Sequence, residues 1–232
     1  MSLSRAAKVM REVPLFQGLS DKELELLARK TVNREFGPET FVVRQGDAGD
    51  ALYTILSGKV KVTLYSESGR EVVLNILSKG DFFGEMSLID AAPRSANVIT
   101  TEPSELLYLS RKDFQRTMME NPSISLALIE EICGRLREAD KKIGDLALVD
   151  VHGRVARFLL RLAREEGEKV KGGYLIEKRP THLEMAGLLG TARETVSRAM
   201  SDFLKRGYLK QQGKKLFIPL DTELDIEADG LE

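Results

Sequence analysis

The 232 residues, 42% hydrophobic and 31% charged, describe a globular chain of one large or two ordinary domains. No apolar run approaches the roughly 20 residues that cross a bilayer, and the opening MSLSRAAKVMREVPLF lacks a signal peptide's apolar core. A single cysteine, Cys133, excludes a disulfide framework and an all-cysteine metal or iron–sulfur site, so the chain reads as cytoplasmic.

The net charge of -1 conceals an uneven distribution. Residues 151–220 carry fifteen Lys/Arg against seven Asp/Glu, whereas residues 221–232, DTELDIEADGLE, carry six acids and no base. Local positive charge suits contact with a polyanion. The acidic tail is expected to be disordered.

In chain order, the first pattern is a series of short β-branched and aromatic runs between about Glu35 and Ser110: TFVV, ALYTIL, KVKVTLY, EVVLNIL and ELLYL. Gly46, Gly49, Gly58, Gly69, Gly80 and Gly84 punctuate them. Closely spaced short strands of this kind predict a jelly roll or barrel-like sandwich. Within them lies FGEMSLIDAAPRSANV, where Glu85 and Arg94 stand nine residues apart, with glycine before the acid and Ser95–Ala96 after the base.

A long helix is predicted next, from about Ser123 to Val149. Leu126, Ile129, Cys133, Leu136, Asp140, Ile143 and Ala147 recur at steps of three and four, a heptad seam. Charged flanks on a narrow seam favour a parallel two-stranded coiled coil over packing on the helix's own domain. Asp140 breaks the apolar rule.

The last ordered segment contains THLEMAGLLGTARETVSRAMSDFLKRG. Thr181-x-x-Glu184 and Thr191-x-x-Glu194 are each able to open a helix as capping boxes. Two helices joined at Gly190 form a helix-turn-helix, and YLKQQGKKLFIP after it reads as a basic wing. Arg193, Glu194, Ser197 and Arg198 lie near the start of the second helix, off its apolar stripe. In this motif that end enters the major groove, where Arg bonds guanine and Glu accepts from cytosine. A helix cap for Glu194 and solvated charges for the arginines are the plainer alternatives.

These stretches together resemble the CRP/FNR (cyclic AMP receptor protein and fumarate–nitrate regulator) family of bacterial transcription regulators over nearly the whole chain. VVRQGDAGDALYTILSGKVKV and FGEMSLIDAAPRSANV resemble its two cyclic-nucleotide-binding signatures. IGDLALVDVHGRVARFLL resembles its hinge and following helix, and GTARETVSR its recognition helix. The resemblance implies an α+β architecture. On it, a cyclic-nucleotide-binding β-roll domain would span residues 1–121 and a dimerisation helix 122–149. A winged helix-turn-helix DNA-binding domain would follow at 150–220, then the acidic tail at 221–232.

The site residues follow the same resemblance. Arg94 would fork to the phosphodiester and Glu85 would accept from the ribose 2′-hydroxyl, with Gly84, Met86, Ser95 and Ala96 around them. A structural Glu85–Arg94 salt bridge is the alternative. The long helix would add Arg135 near the phosphate and Asp140 near the base. The family's cyclic AMP receptors present a threonine and a serine to the purine there, where this chain has Ala139 and Asp140. Cyclic AMP is the first expectation and cyclic GMP or cyclic di-GMP the second. Thr191, Arg193, Glu194, Thr195, Ser197 and Arg198 would meet palindromic DNA with TGTGA-like half-sites. RNA polymerase is the further partner implied. An enzyme is disfavoured, since Asp150 and His152 diverge at i, i+2 on a helix. A cyclic-nucleotide module that binds no DNA would have no use for GTARETVSR.

Overall fold

A computed structural model describes residues 4–220, so the acidic tail expected at 221–232 lies outside the described residues. The chain forms two units, residues 1–137 and 138–232. Their boundary falls within a single helix, α5 (Pro122–Leu148).

In the first unit two antiparallel four-stranded sheets carry the core. One has the order β1 (Val32–Phe36), β8 (Ser104–Ser110), β3 (Ala51–Ser57), β6 (Phe82–Phe83). The other runs β2 (Phe41–Val43), β7 (Asn97–Thr100), β4 (Val60–Tyr65), β5 (Glu71–Leu77). Strand periodicity sends alternate side chains to opposite faces. On β3, Ala51, Tyr53 and Ile55 join Val60, Leu77, Phe83, Val98 and Leu106 in one apolar cluster. Leu52 and Leu56 point the other way, into a cluster with Phe16, Leu24, Phe114, Ile124 and Leu128. Those partners come from a short helical turn (Pro14–Phe16), from α2 (Asp21–Ala28), from α4 (Arg111–Glu120) and from the start of α5. Burial on both faces explains why ALYTIL is apolar almost without interruption.

Tight turns close the sheets. Gly58 has φ +87°, and a Cβ there would stand 2.2 Å from Ser104 Oγ and 2.6 Å from Pro103 O. Only glycine fits this turn.

The second unit packs α6 (Val151–Glu166), α7 (His182–Leu189) and α8 (Arg193–Arg206) on an antiparallel sheet. Its strand order is β11 (Lys210–Gln212), β12 (Lys215–Pro219), β10 (Gly173–Ile176), β9 (Glu168–Val170). Asp150 caps α6, its carboxylate accepting from Gly153 N at 2.7 Å. Ala156, Leu159, Met185, Val196, Ala199, Met200 and Leu216 form the centre of the core. β11 and β12 form the wing, turning at Gly213 with φ +61°.

One expectation fails here. Thr181 makes a complete capping box with Glu184, but Thr191 does not cap α8. The left-handed Gly190 and the bond from Thr191 N to Ala186 O, 3.0 Å, hold Thr191 in the turn. Ala192 becomes the N-cap and makes no side-chain cap bond. The Thr-x-x-Glu spacing is therefore one residue out of phase. Thr181→Ala should cost about 1 kcal/mol, and Thr191→Ala almost nothing. Urea unfolding followed by circular dichroism checks this, and equal losses would contradict the assignment.

Candidate functional site

The turn from β6 into α3 (Glu85–Asp90) builds the first site. Gly84 takes φ +91°, which turns the chain sharply and places Glu85 at the first position of the short helix. A Cβ on Gly84 would lie 2.4 Å from Arg94 Nη1 and 2.8 Å from Ala51 O. Gly49 is equally confined, with Ser87 Cβ at 2.3 Å and Arg94 Cζ at 3.2 Å from its virtual Cβ. Both glycines leave room for a guanidinium.

Arg94 is only 4% exposed. Its Nη1 donates to Gly84 O and its Nη2 to Ala51 O, each at 2.9 Å. Its Nε is buried and has no hydrogen-bond partner. The Asp50 carboxylate stands 3.6 Å away but is mostly exposed. Burial pulls the Arg94 pKa down, while Tyr53, Asp50 and Glu85 oppose that shift. A buried cation held by two carbonyls and one solvent-exposed carboxylate at 3.6 Å is under-compensated.

Glu85, also 4% exposed, does not pair with Arg94. Its Oε1 accepts from Arg135 Nη1 at 3.2 Å. Arg135 also donates from Nη2 to Phe82 O at 2.9 Å and from Nε to Glu131 at 3.0 Å, with its guanidinium 4.6 Å from the Phe82 ring centroid. The structural Glu85–Arg94 salt bridge is therefore absent among the described residues. The acid is joined instead to α5, fifty residues along the chain, and the sequence carries no local signal of that pairing.

Met86 and Ser95 are exposed beside this pair, with Ser95 Oγ 3.7 Å from Met86 Sδ; Ala96 is buried. Gly84, Glu85, Arg94 and Arg135 are thus gathered in the first unit. Asp140 belongs to the second unit, where it is exposed.

On α5 the heptad residues are unburied. Leu126, Ile129, Leu136 and Ile143 are 58–63% exposed, and Cys133 and Ala147 are exposed with them.

The second site is the outer face of α8. Arg193, Glu194 and Arg198 are exposed, Thr191, Thr195 and Ser197 half-buried. Positions 193, 194, 197 and 198 share one helical face. The inner face is pinned by Val196, Ala199, Met200 and Phe203. One neighbour was not anticipated: His182, at the start of α7, places Nδ1 2.8 Å from Ser197 Oγ.

Among the described residues no helix is long and apolar enough to cross a membrane, and no group of His, Cys, Asp or Glu could hold a metal ion.

Comparison with known proteins matches the same two regions. Residues 33–121 fit the model of a cyclic nucleotide-binding domain, and residues 153–224 that of a Crp-like helix-turn-helix domain. The chain is 33% identical to a CRP-like cAMP-activated global transcriptional regulator of Mycobacterium tuberculosis, over 91% of this chain and 94% of that one. It is 37% identical to a cyclic AMP receptor protein of Thermus thermophilus, over 87% and 90%. Among solved structures, the c-di-GMP-responsive global regulator of Xanthomonas campestris matches with a TM-score of 0.76 at 28% identity, covering 86% of this chain and 99% of that one.

Gly84→Ala should expel the Arg94 side chain from its cradle and destabilise the first unit by more than about 1 kcal/mol. Thermal unfolding of the variant checks this. An unchanged midpoint would mean that the cradle is not confined as described.

Proposed function

Because the chain belongs to the CRP/FNR family of transcription regulators, we propose that a cyclic nucleotide bound in the first unit controls sequence-specific DNA binding by the second. The observation that carries the nucleotide reading is the under-compensated Arg94. A guanidinium has five N–H groups, and two already serve Gly84 O and Ala51 O. The remaining three, Nε–H among them, suit the exocyclic oxygens of a phosphodiester. Such charge-assisted bonds are the strong ones, and the anion would offset the cost of the buried cation. Glu85, ionised and acceptor-only, would take the ribose 2′-hydroxyl while keeping Arg135. Ligand binding would then act on α5 through Arg135, which α5 itself carries.

Cyclic AMP is the first choice, in line with the relatives named as cAMP-activated. A second reading, cyclic GMP or cyclic di-GMP, is favoured by one specific observation. Ala139 and Asp140 offer no hydroxyl, and a carboxylate at 140 matches the N1–H and N2–H₂ edge of guanine. The exposed stripe on α5 supports a homodimer, since Leu126, Ile129, Leu136 and Ile143 would be covered by a second copy. In that seam Asp140 would face its counterpart, and a purine donor would relieve their repulsion. A two-fold dimer in turn suits palindromic DNA with TGTGA-like half-sites, read by Arg193, Glu194 and Arg198 with Thr191, Thr195 and Ser197 beside them. RNA polymerase is the proposed further partner.

Calorimetric titration with cyclic AMP, cyclic GMP and cyclic di-GMP tests the ligand site. One of the three should bind, and Arg94→Leu should weaken it more than about tenfold. No binding by any of them, or unaltered affinity in a folded variant, would refute the site. For DNA, Arg193→Ala should relax preference at one base per half-site and cost about 1–3 kcal/mol. A gel shift against single-base variants reads this. Uniform weakening would make Arg193 a phosphate contact instead.

A further inference from the structure

His182, on α7, is hydrogen-bonded to Ser197 on the reading face of α8. We propose that His182 is a positioning residue for DNA readout: through its Nδ1 contact it decides which hydrogen-bonding role the Ser197 hydroxyl presents to a base edge. The inference rests on the reading of α8 as the DNA-contacting helix.

A serine hydroxyl has one proton and two lone pairs, and a neutral imidazole has one N–H and one acceptor nitrogen. While the ring is neutral, either atom of the 2.8 Å Nδ1–Oγ pair can donate. Ser197 can then face the groove as an acceptor, its proton spent on Nδ1, or as a donor, if Nδ1–H points at Oγ. A protonated ring removes the choice. Both ring nitrogens then carry hydrogen, Oγ must accept from Nδ1, and the Ser197 proton must point outward. Ser197 becomes a donor, suited to guanine O6 or N7, adenine N7 or thymine O4, and disfavours cytosine, whose major-groove edge offers only its amino group.

The surroundings determine when this happens. The charged groups acting on the ring are Arg179, before α7, and Arg193, on α8. Glu184, on the ring's own helix, is engaged at the Thr181 cap, its carboxylate accepting from Thr181 N at 2.6 Å. Glu194, on α8, is exposed. The ring's Nε2 is buried and has no partner among the described residues. Burial first, then the two arginines, hold the imidazole below its ordinary pKa of 6.5, so the free protein carries it neutral at pH 7. DNA phosphates would neutralise the arginines and raise that pKa. A group whose pKa rises on binding favours the complex fully below its free value. That advantage is lost as pH climbs through the bound value. The change in readout therefore belongs to the window between the lowered free value and the raised bound value.

Duplexes selected from a random pool by the full-length wild-type protein, with each of the three cyclic nucleotides present, supply the probe. Fluorescence anisotropy against single-base variants is then measured at about pH 5.5 and about pH 8 for wild type, His182→Gln and Ser197→Ala. In the wild type, preference at one position per half-site should move by about fivefold away from cytosine at the lower pH. His182→Gln can still hydrogen-bond Ser197 but cannot titrate, and should bind with a preference that is flat in pH. Ser197→Ala should lose preference at that position at both pH values. A wild-type preference that does not move, or one that still moves in His182→Gln, overturns the proposal. Failure to select any duplex overturns the DNA-reading assignment beneath it, and this proposal with it.

Discussion

The first unit is organised around a cation that the protein only partly neutralises. Arg94 lies at 4% exposure, anchored by Ala51 O and Gly84 O, with no carboxylate in direct hydrogen-bonding contact. Leaving a charge in such surroundings is costly, and the sequence around it is shaped to tolerate it. Gly49 and Gly84 give up their side chains to make space, and Gly84 accepts a left-handed backbone. β3 contributes Ala51 O from a strand buried on both faces, so the anchor cannot drift. The cost of this arrangement would fall on binding of the proposed anion, which would make binding energy available for more than binding.

Glu85 would give that energy a route within the first unit. Because the acid pairs with Arg135 and not with Arg94, the turn into α3 and α5 share an ion pair with Glu85 at 6% and Arg135 at 29% side-chain exposure. Pairs this secluded are screened less than surface pairs, and disturbing one partner is felt by the other. α5 then continues past residue 137 as an unbroken helix into the second unit. Its exposed apolar stripe is the natural place for a second copy, so ligand, helix and assembly state would be linked through one element. A ligand acts as a switch only through differential affinity for two states, and Arg135 and the α5 seam are where these states would differ.

Much of this was legible in the sequence. ALYTIL and EVVLNIL were apolar enough to show as strands, the three-and-four spacing along α5 was plain, and Thr181-x-x-Glu184 marked a real helix start. Other features left weaker traces. β1, VNREF, is largely exposed and polar, so no alternation announces it, and β6 is two residues long. The helix Arg5–Glu12 buries Ala7, Val9 and Met10 only because a sheet lies beneath it. Thr191 misled because capping chemistry depends on the helix phase, and the left-handed Gly190 moved that phase by one residue. The Glu85–Arg135 and His182–Ser197 contacts join elements distant in sequence, and nothing local encodes them.

The central claim is that occupancy of the Arg94 site and DNA binding by α8 are energetically coupled. Coupling of this kind is reciprocal: if the nucleotide tightens DNA binding by some factor, DNA must tighten nucleotide binding by the same factor. The most direct test is a thermodynamic cycle on the full-length protein, measuring duplex affinity with and without the nucleotide and nucleotide affinity with and without the duplex. The account predicts equal factors of about fivefold or more on both arms. Independent affinities, a factor of one on each arm, would contradict it.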